Sequence, residues 1–187
     1  MTCLNNDGQR ETEMSDFIQY LADIIALIII YFVFFYRKWR MKGKAALIVN
    51  SIMYLYIGLV LYATLMPVIV SLPFAFNNVL NHPYKPMNLL PFDDYFHGRG
   101  DTVRQIMLNV VMMIPFGFLT PVVKRCKLFS CMLRTLLFSL CIEVFQPLVF
   151  RSGDITDVIT NTAGGLIGYL LYLFFKPVVN TVLLRLK

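Results

Sequence analysis

The stretch LFSCMLRTLLFSLCIEVFQPLVFRSGDITDVITNTAGGLIGYLLYLFF, residues 128–175, decides the fold of this chain. It consists of two apolar runs, Leu128–Phe150 and Ile155–Phe175, which only four residues separate. Each run has the roughly 20 residues that an α-helix needs to cross a bilayer. A connection this short makes two helices antiparallel neighbours. The stretch therefore predicts a transmembrane helical hairpin.

Three more apolar runs precede the hairpin: Phe17–Tyr36, Ala45–Met66 and Ile106–Val123. Of the 187 residues, 58% are apolar and 15% are charged, whereas a soluble domain is about 45–50% apolar and about 25% charged. This composition excludes a soluble enzyme and a disordered chain. The sequence predicts an all-α membrane protein with five transmembrane helices.

The basic residues predict the orientation of these five helices. Eleven of the 17 Lys and Arg residues fall in the two connections after the first and third runs and at the C-terminus, and five fall on the other side. Cytoplasmic loops carry the excess of basic residues, so we expect the N-terminus outside and the C-terminus in the cytoplasm. In this orientation most of the net charge of +6 lies on the cytoplasmic side, where it attracts anionic lipids. Nucleic-acid binding is not expected.

This orientation divides the chain into four parts. Residues 1–16 form a polar extracellular tail, and residues 17–66 form two N-terminal transmembrane helices. An extracellular loop follows over residues 67–104, in which Asp101 is placed to cap the third transmembrane helix. Residues 105–187 contain the last three helices and the C-terminal tail.

Polar residues are concentrated in the last three predicted helices. Buried ionisable and amide groups are costly inside a membrane, so they mark functional positions. Matching depths along the predicted hairpin places Glu143 near Asn161 and Gln146 near Asp157. The sequence thus predicts one outward-facing polar cluster, next to kinks at Pro115 and Pro147.

Structural roles remain open for several members of this cluster. Asp154 and Asp157 stand where helix-capping residues stand, and a carboxylate there also favours the positive end of the helix. Arg151 is a candidate interfacial anchor or ion-pair partner of Glu143 or Asp157. Gly164 and Gly168 form a GxxxG pattern, which is typical of close helix packing.

Several motifs, taken together, resemble the VanZ-like family over about residues 85–172. They are Asn88-Leu-Leu-Pro-Phe92, Asn109-Val-Val-Met-Met-Ile-Pro-Phe-Gly117, Glu143-Val-Phe-Gln146, Arg151-Ser-Gly-Asp154-Ile-Thr-Asp157 and Asn161-Thr-Ala-Gly-Gly-Leu-Ile-Gly168. The resemblance implies a multi-pass protein of the bacterial plasma membrane. The family's namesake gives low-level resistance to teicoplanin, a glycopeptide with a fatty tail. The candidate ligand-binding residues are Asn88, Asn109, Glu143, Gln146, Arg151, Asp154, Asp157 and Asn161.

Two functions follow as expectations. The first is a non-enzymatic factor that lowers susceptibility to lipophilic glycopeptides by recognising the drug or a lipid-linked cell-wall precursor in the outer leaflet. The alternative is an intramembrane enzyme that modifies a lipid or wall precursor with paired carboxylates, although the sequence has no nucleophile motif. No cofactor is expected, and His82 and His97 lack partners at metal-ligand spacing.

Overall fold

The protein is described here from a computed structural model, which covers residues 18, 20–65, 87–149 and 152–186. The N-terminal tail, most of the outer loop with His82, and Phe150 and Arg151 lie outside the described residues. The described part consists mainly of helices and contains no strand, and five of its helices are long and apolar enough to cross a membrane. This confirms the predicted helical class and the five candidate spans.

The described residues form six helices, five long and one of a single turn. They are α1 (Tyr20–Arg40), α2 (Lys44–Thr64), the one-turn α3 (Asp93–Phe96), α4 (Thr102–Val123), α5 (Leu128–Phe145) and α6 (Ile155–Arg185). The stretch Tyr31–Tyr36 of α1 is π-helical. Gly43 adopts a φ of 100° between α1 and α2, a conformation that glycine reaches without steric cost.

Helix α5 is shorter than predicted. The expected span ran to Phe150, but the α-helix ends at Phe145 and continues as a 3-10 turn over Gln146–Val149. Pro147 explains the early end, because proline lacks the N–H that the next hydrogen bond of an α-helix needs. Pro147 therefore ends the helix rather than kinking it, and the link to α6 is longer than the sequence suggested.

Helix α6 is longer than predicted. The expected span ended at Phe175, but the helix continues through Pro177 to Arg185, a total of 31 residues. At 1.5 Å per residue it is about 46 Å long, whereas the hydrocarbon core of a bilayer is about 30 Å thick. Helix α6 is therefore longer than a helix perpendicular to the membrane needs to be in order to cross the hydrocarbon core.

Helices α4 and α6 form the centre of the bundle and touch through their backbones. A Cβ atom on Gly117 would collide with the carbonyl oxygen of Gly165, and one on Gly168 would collide with that of Ile114. Small residues of this kind are the usual means of close helix approach in membranes. An apolar core on one side of this pair joins α2, α4 and α5 through Val60, Leu65, Met113, Phe116 and Ile142.

Candidate functional site

A cavity of about 860 Å³ lies between α2, α4 and the ends of α5 and α6 that face their connection. Asp94, Gln105 and Ser152 line its rim, and Pro115 and Asn161 line it farthest along their helices from that rim. The wall that comes from α2 and α4 is mostly apolar, although Gln105 and Asn109 of α4 are polar. The opposite wall is polar and comes from α5, α6 and the link between them.

The polar wall contains most of the residues that the sequence singled out. Six of the eight candidates line this one cavity: Asn109, Glu143, Gln146, Asp154, Asp157 and Asn161. The side chains of Glu143, Gln146 and Asn161 are almost entirely buried, with 2%, 5% and 1% of their surface exposed. Asn88 does not line the cavity, and Arg151 lies outside the described residues.

Asn161 is held from one side only. Its Nδ2 donates a hydrogen bond of 2.8 Å to the Oγ of Ser139 on α5. Its Oδ1 is buried and has no hydrogen-bond partner within the described part of the chain. A buried acceptor without a partner is costly unless a ligand or water supplies a donor. Asn161 thus presents an unsatisfied acceptor in the wall of the cavity.

The register of α5 against α6 differs from the predicted one. The sequence placed Asn161 opposite Glu143, but its hydrogen bond goes to Ser139, one turn earlier in α5. The early end of α5 at Phe145 accounts for this shift, because it moves Glu143 to within two residues of the end of the α-helix. Glu143 is therefore close to the α5–α6 link rather than level with Asn161.

Glu143 and Asp154 hold this link in place. The Oε2 of Glu143 accepts a hydrogen bond of 2.9 Å from the backbone N–H of Asp154. The Oδ1 of Asp154 accepts one of 2.7 Å from the N–H of Thr156, which caps the N-terminus of α6. The sequence left capping and ligand contact as alternatives for Asp154. The structure shows the cap, and the same residue also lines the cavity.

Asn88 attaches the segment before α3 to the same point. Its Nδ2 donates to the Oδ2 of Asp154 over 3.1 Å. Its backbone N–H donates to the carbonyl of Gly153, and its carbonyl accepts from the N–H of Ile155, both over 2.9 Å. Asn88 therefore does not line the cavity itself. It contacts Asp154, which does.

A model of one protein family matches residues 17–176, and its description is VanZ/LLP1. The chain belongs to the VanZ/LLP1 family. The VanZ/LLP1 match covers α1 and α2 in addition to residues 85–172, over which the motifs were recognised. Protein VanZ of Enterococcus faecium is 36% identical over 108 residues, which cover 56% of this chain and 63% of that relative. No solved structure matches.

Two residues at the cavity of this VanZ/LLP1 protein were not predicted: Tyr56, which lines it, and Ser139, which supports a residue of its wall. Ser139 bonds Asn161, and its position four residues before Glu143 on the same helix face is the signal that marks it. Tyr56 of α2 lines the cavity and donates from its hydroxyl to the carbonyl of Met112. Nothing in the local sequence of α2 distinguishes Tyr56 from the other tyrosines of that helix.

The apolar wall of the VanZ/LLP1 cavity reaches the surface of the bundle. Leu59 of α2 and Leu108 and Val111 of α4 line the cavity, yet 65%, 57% and 59% of their surfaces are exposed. Because these side chains line the cavity and are also exposed, the cavity is open on its α2 and α4 side in the described part of the chain. Polar groups and a sideways apolar opening together suit a ligand with a polar head and a hydrocarbon chain.

Proposed function

We propose that this membrane protein lowers bacterial susceptibility to lipophilic glycopeptides, as the teicoplanin link of the VanZ name suggests. It does so by holding the polar part of an acylated drug or a lipid-linked wall precursor in the cavity between α2, α4, α5 and α6. The observation that carries this proposal is the pairing of a buried polar wall with an apolar opening in one cavity of about 860 Å³.

The orientation is part of the proposal. The excess of basic residues beside the α1–α2 and α4–α5 connections favours a cytoplasmic position for both, by the positive-inside rule. The cavity rim lies at the opposite ends of these helices and then faces outward, in the plasma membrane of a bacterium. A ligand in the outer leaflet reaches the cavity from the rim and through the opening on its α2 and α4 side.

Each polar group has a distinct role in this proposal. The free Oδ1 of Asn161 accepts an N–H or O–H from the ligand, and Asn109 and Gln146 supply further amide contacts from α4 and the 3-10 turn. Asp157 lines the same wall beside them. Arg151 pairs with a phosphate or carboxylate of the ligand, to which a guanidinium is well suited.

The test measures the inhibitory concentrations of teicoplanin and vancomycin in a sensitive Gram-positive host. The strains express the wild type, Asn161→Ala, Arg151→Ala or Leu170→Ala at matched membrane abundance. Leu170 is the control, because it lies on the same helix with an exposed, lipid-facing side chain. We expect a several-fold rise for teicoplanin alone with the wild type and Leu170→Ala, and loss of that rise with Asn161→Ala.

Two results would contradict the proposal in different ways. No change in teicoplanin susceptibility with well-inserted wild-type protein would overturn the resistance function. A rise that Asn161→Ala and Arg151→Ala both retain would leave the function in place and remove the cavity as its site.

An intramembrane enzyme is the second candidate, because four carboxylates, those of Asp94, Glu143, Asp154 and Asp157, line the same cavity. Glu143→Gln separates the two functions. Glutamine still accepts the hydrogen bond from the Asp154 N–H but cannot transfer a proton as a carboxylate does. We expect Glu143→Gln to retain the teicoplanin phenotype. Loss of the phenotype together with a changed membrane lipid profile would favour the enzyme.

A further inference from the structure

A second, almost purely apolar groove of about 610 Å³ lies between α1 and α2. Ile24, Ile28 and Phe32 line it from α1, and Leu55, Leu59 and Tyr62 line it from α2. The candidate site of the proposed function lies on the other side of α2 and shares only Leu59 with this groove. The groove faces outward from the bundle, since most of these side chains are also exposed.

Aromatic residues close the groove at the end near the α1–α2 connection. Trp39 stacks on Phe35 with ring centroids 4.9 Å apart, and it also contacts Tyr31 and Tyr54, which line the groove. The two tyrosine hydroxyls are already satisfied: Tyr31 bonds Ser51, and Tyr54 donates to the carbonyl of Leu27, both over 2.7 Å. The surface left for a ligand is therefore hydrocarbon and aromatic.

Five basic side chains stand directly beyond this aromatic end. They are Arg37, Lys38, Arg40, Lys42 and Lys44, and all are exposed. None of the ion pairs formed in the described part of the chain involves them. The turn at Gly43 reverses the chain, so that both helices contribute their charges to the same end of the groove.

We infer that this groove is a binding site for an anionic phospholipid. An acyl chain lies along the apolar walls, and the phosphate of the headgroup contacts the basic side chains beyond Trp39. Charge complementarity selects the occupant, because a zwitterionic lipid fills the groove equally well but carries no net charge to offset five cations. Basic clusters beside a membrane helix attract anionic lipids with appreciable strength.

The only tryptophan of the chain makes this inference directly measurable. The full-length protein is reconstituted into vesicles of phosphatidylcholine and phosphatidylglycerol, in which one lipid or the other carries brominated chains. Bromine quenches Trp39 fluorescence on contact, so the two arms report which lipid occupies the site. We expect phosphatidylglycerol to be favoured about fivefold at equal mole fraction, and equal quenching by both lipids would overturn the inference.

Three variants separate a specific site from general attraction to the surface. Replacing Arg37, Lys42 and Lys44 together by Gln removes the preference for phosphatidylglycerol. Replacing Lys124 and Lys127 at the α4–α5 connection by Gln leaves this preference unchanged. Gly58→Leu places a bulky side chain towards Leu27 in the groove floor, where a Cβ would already lie 3.7 Å from the Leu27 Cδ1. We expect Gly58→Leu to reduce the preference for phosphatidylglycerol and to leave the emission maximum of Trp39 unchanged.

The outcomes of these variants decide the inference. A preference that survives Gly58→Leu, or one that the α4–α5 substitutions abolish equally, would show adsorption to the charged surface without a groove site.

Discussion

At the residue scale, glycines allow the backbones of α4 and α6 to touch. Gly117 faces the Gly165 carbonyl, and Gly164 and Gly168 face those of Val110 and Ile114. The GxxxG pattern predicted close packing but did not show which helix is the partner. Gly117 could not be identified from α6 alone, because the pattern marks only one of the two surfaces that meet.

Gly117→Ala should destabilise the protein by about 1–3 kcal/mol, since the added methyl group meets backbone that cannot rotate away. Gly58→Ala is the matched control, because its Cβ meets only a side-chain atom at an ordinary distance of 3.7 Å. The measurement is thermal unfolding of the purified proteins in detergent. Equal unfolding temperatures for the two variants would contradict the contact between α4 and α6.

At the element scale, the starts of α4 and α6 look alike in sequence and differ in structure. Asp101 and Asp154 both occupy the N-cap position, but only Asp154 accepts a capping hydrogen bond from its helix in the described structure. Asp101 instead lies 3.9 Å from Arg104 with an exposed side chain, so the predicted side-chain cap of α4 is wrong. The difference arises because Asn88 and Glu143 fix the backbone and side chain of Asp154 from outside the helix.

Asp154→Ala should therefore cost about 1–2 kcal/mol of stability, as expected for an N-cap, and should also release the Asn88 side chain. Asp101→Ala should change stability by less than about 0.5 kcal/mol, the usual range for an exposed surface position. Thermal unfolding in the same detergent compares the two. A loss from Asp101→Ala as large as that from Asp154→Ala would show that the observed bond is not what stabilises α6.

At the scale of the whole molecule, hydropathy predicted the number and type of the spans because a bilayer imposes length and apolarity directly. It did not predict where α5 ends, and it ended the last span at Phe175 while leaving an extension of that helix past Pro177 open. Pro147 follows the end of an α-helix, whereas Pro177 lies inside one. Helix periodicity predicted most of the polar wall, because the spacing of Glu143 and Gln146 and of Asp157 and Asn161 places each pair on one helix face. Tyr56 was missed because its position depends on how α2 packs against α4.

The predicted orientation can be tested with membrane-impermeant maleimide on intact cells. The background replaces all four native cysteines, and single cysteines are introduced by Lys42→Cys or Arg99→Cys, both at exposed positions. We expect labelling of the Arg99→Cys protein in intact cells and of the Lys42→Cys protein only after lysis. The reverse pattern would invert the topology and place the cavity rim in the cytoplasm.

The pairing of Asn88 with the segment before α6 has a consequence for backbone dynamics. The amide protons of Asn88 and Ile155 are both committed to hydrogen bonds across this junction. An amide in such a bond exchanges with solvent deuterium only when the bond opens. These two protons should therefore exchange slowly and at a common rate. That rate measures how often the segment before α3 detaches from the start of α6.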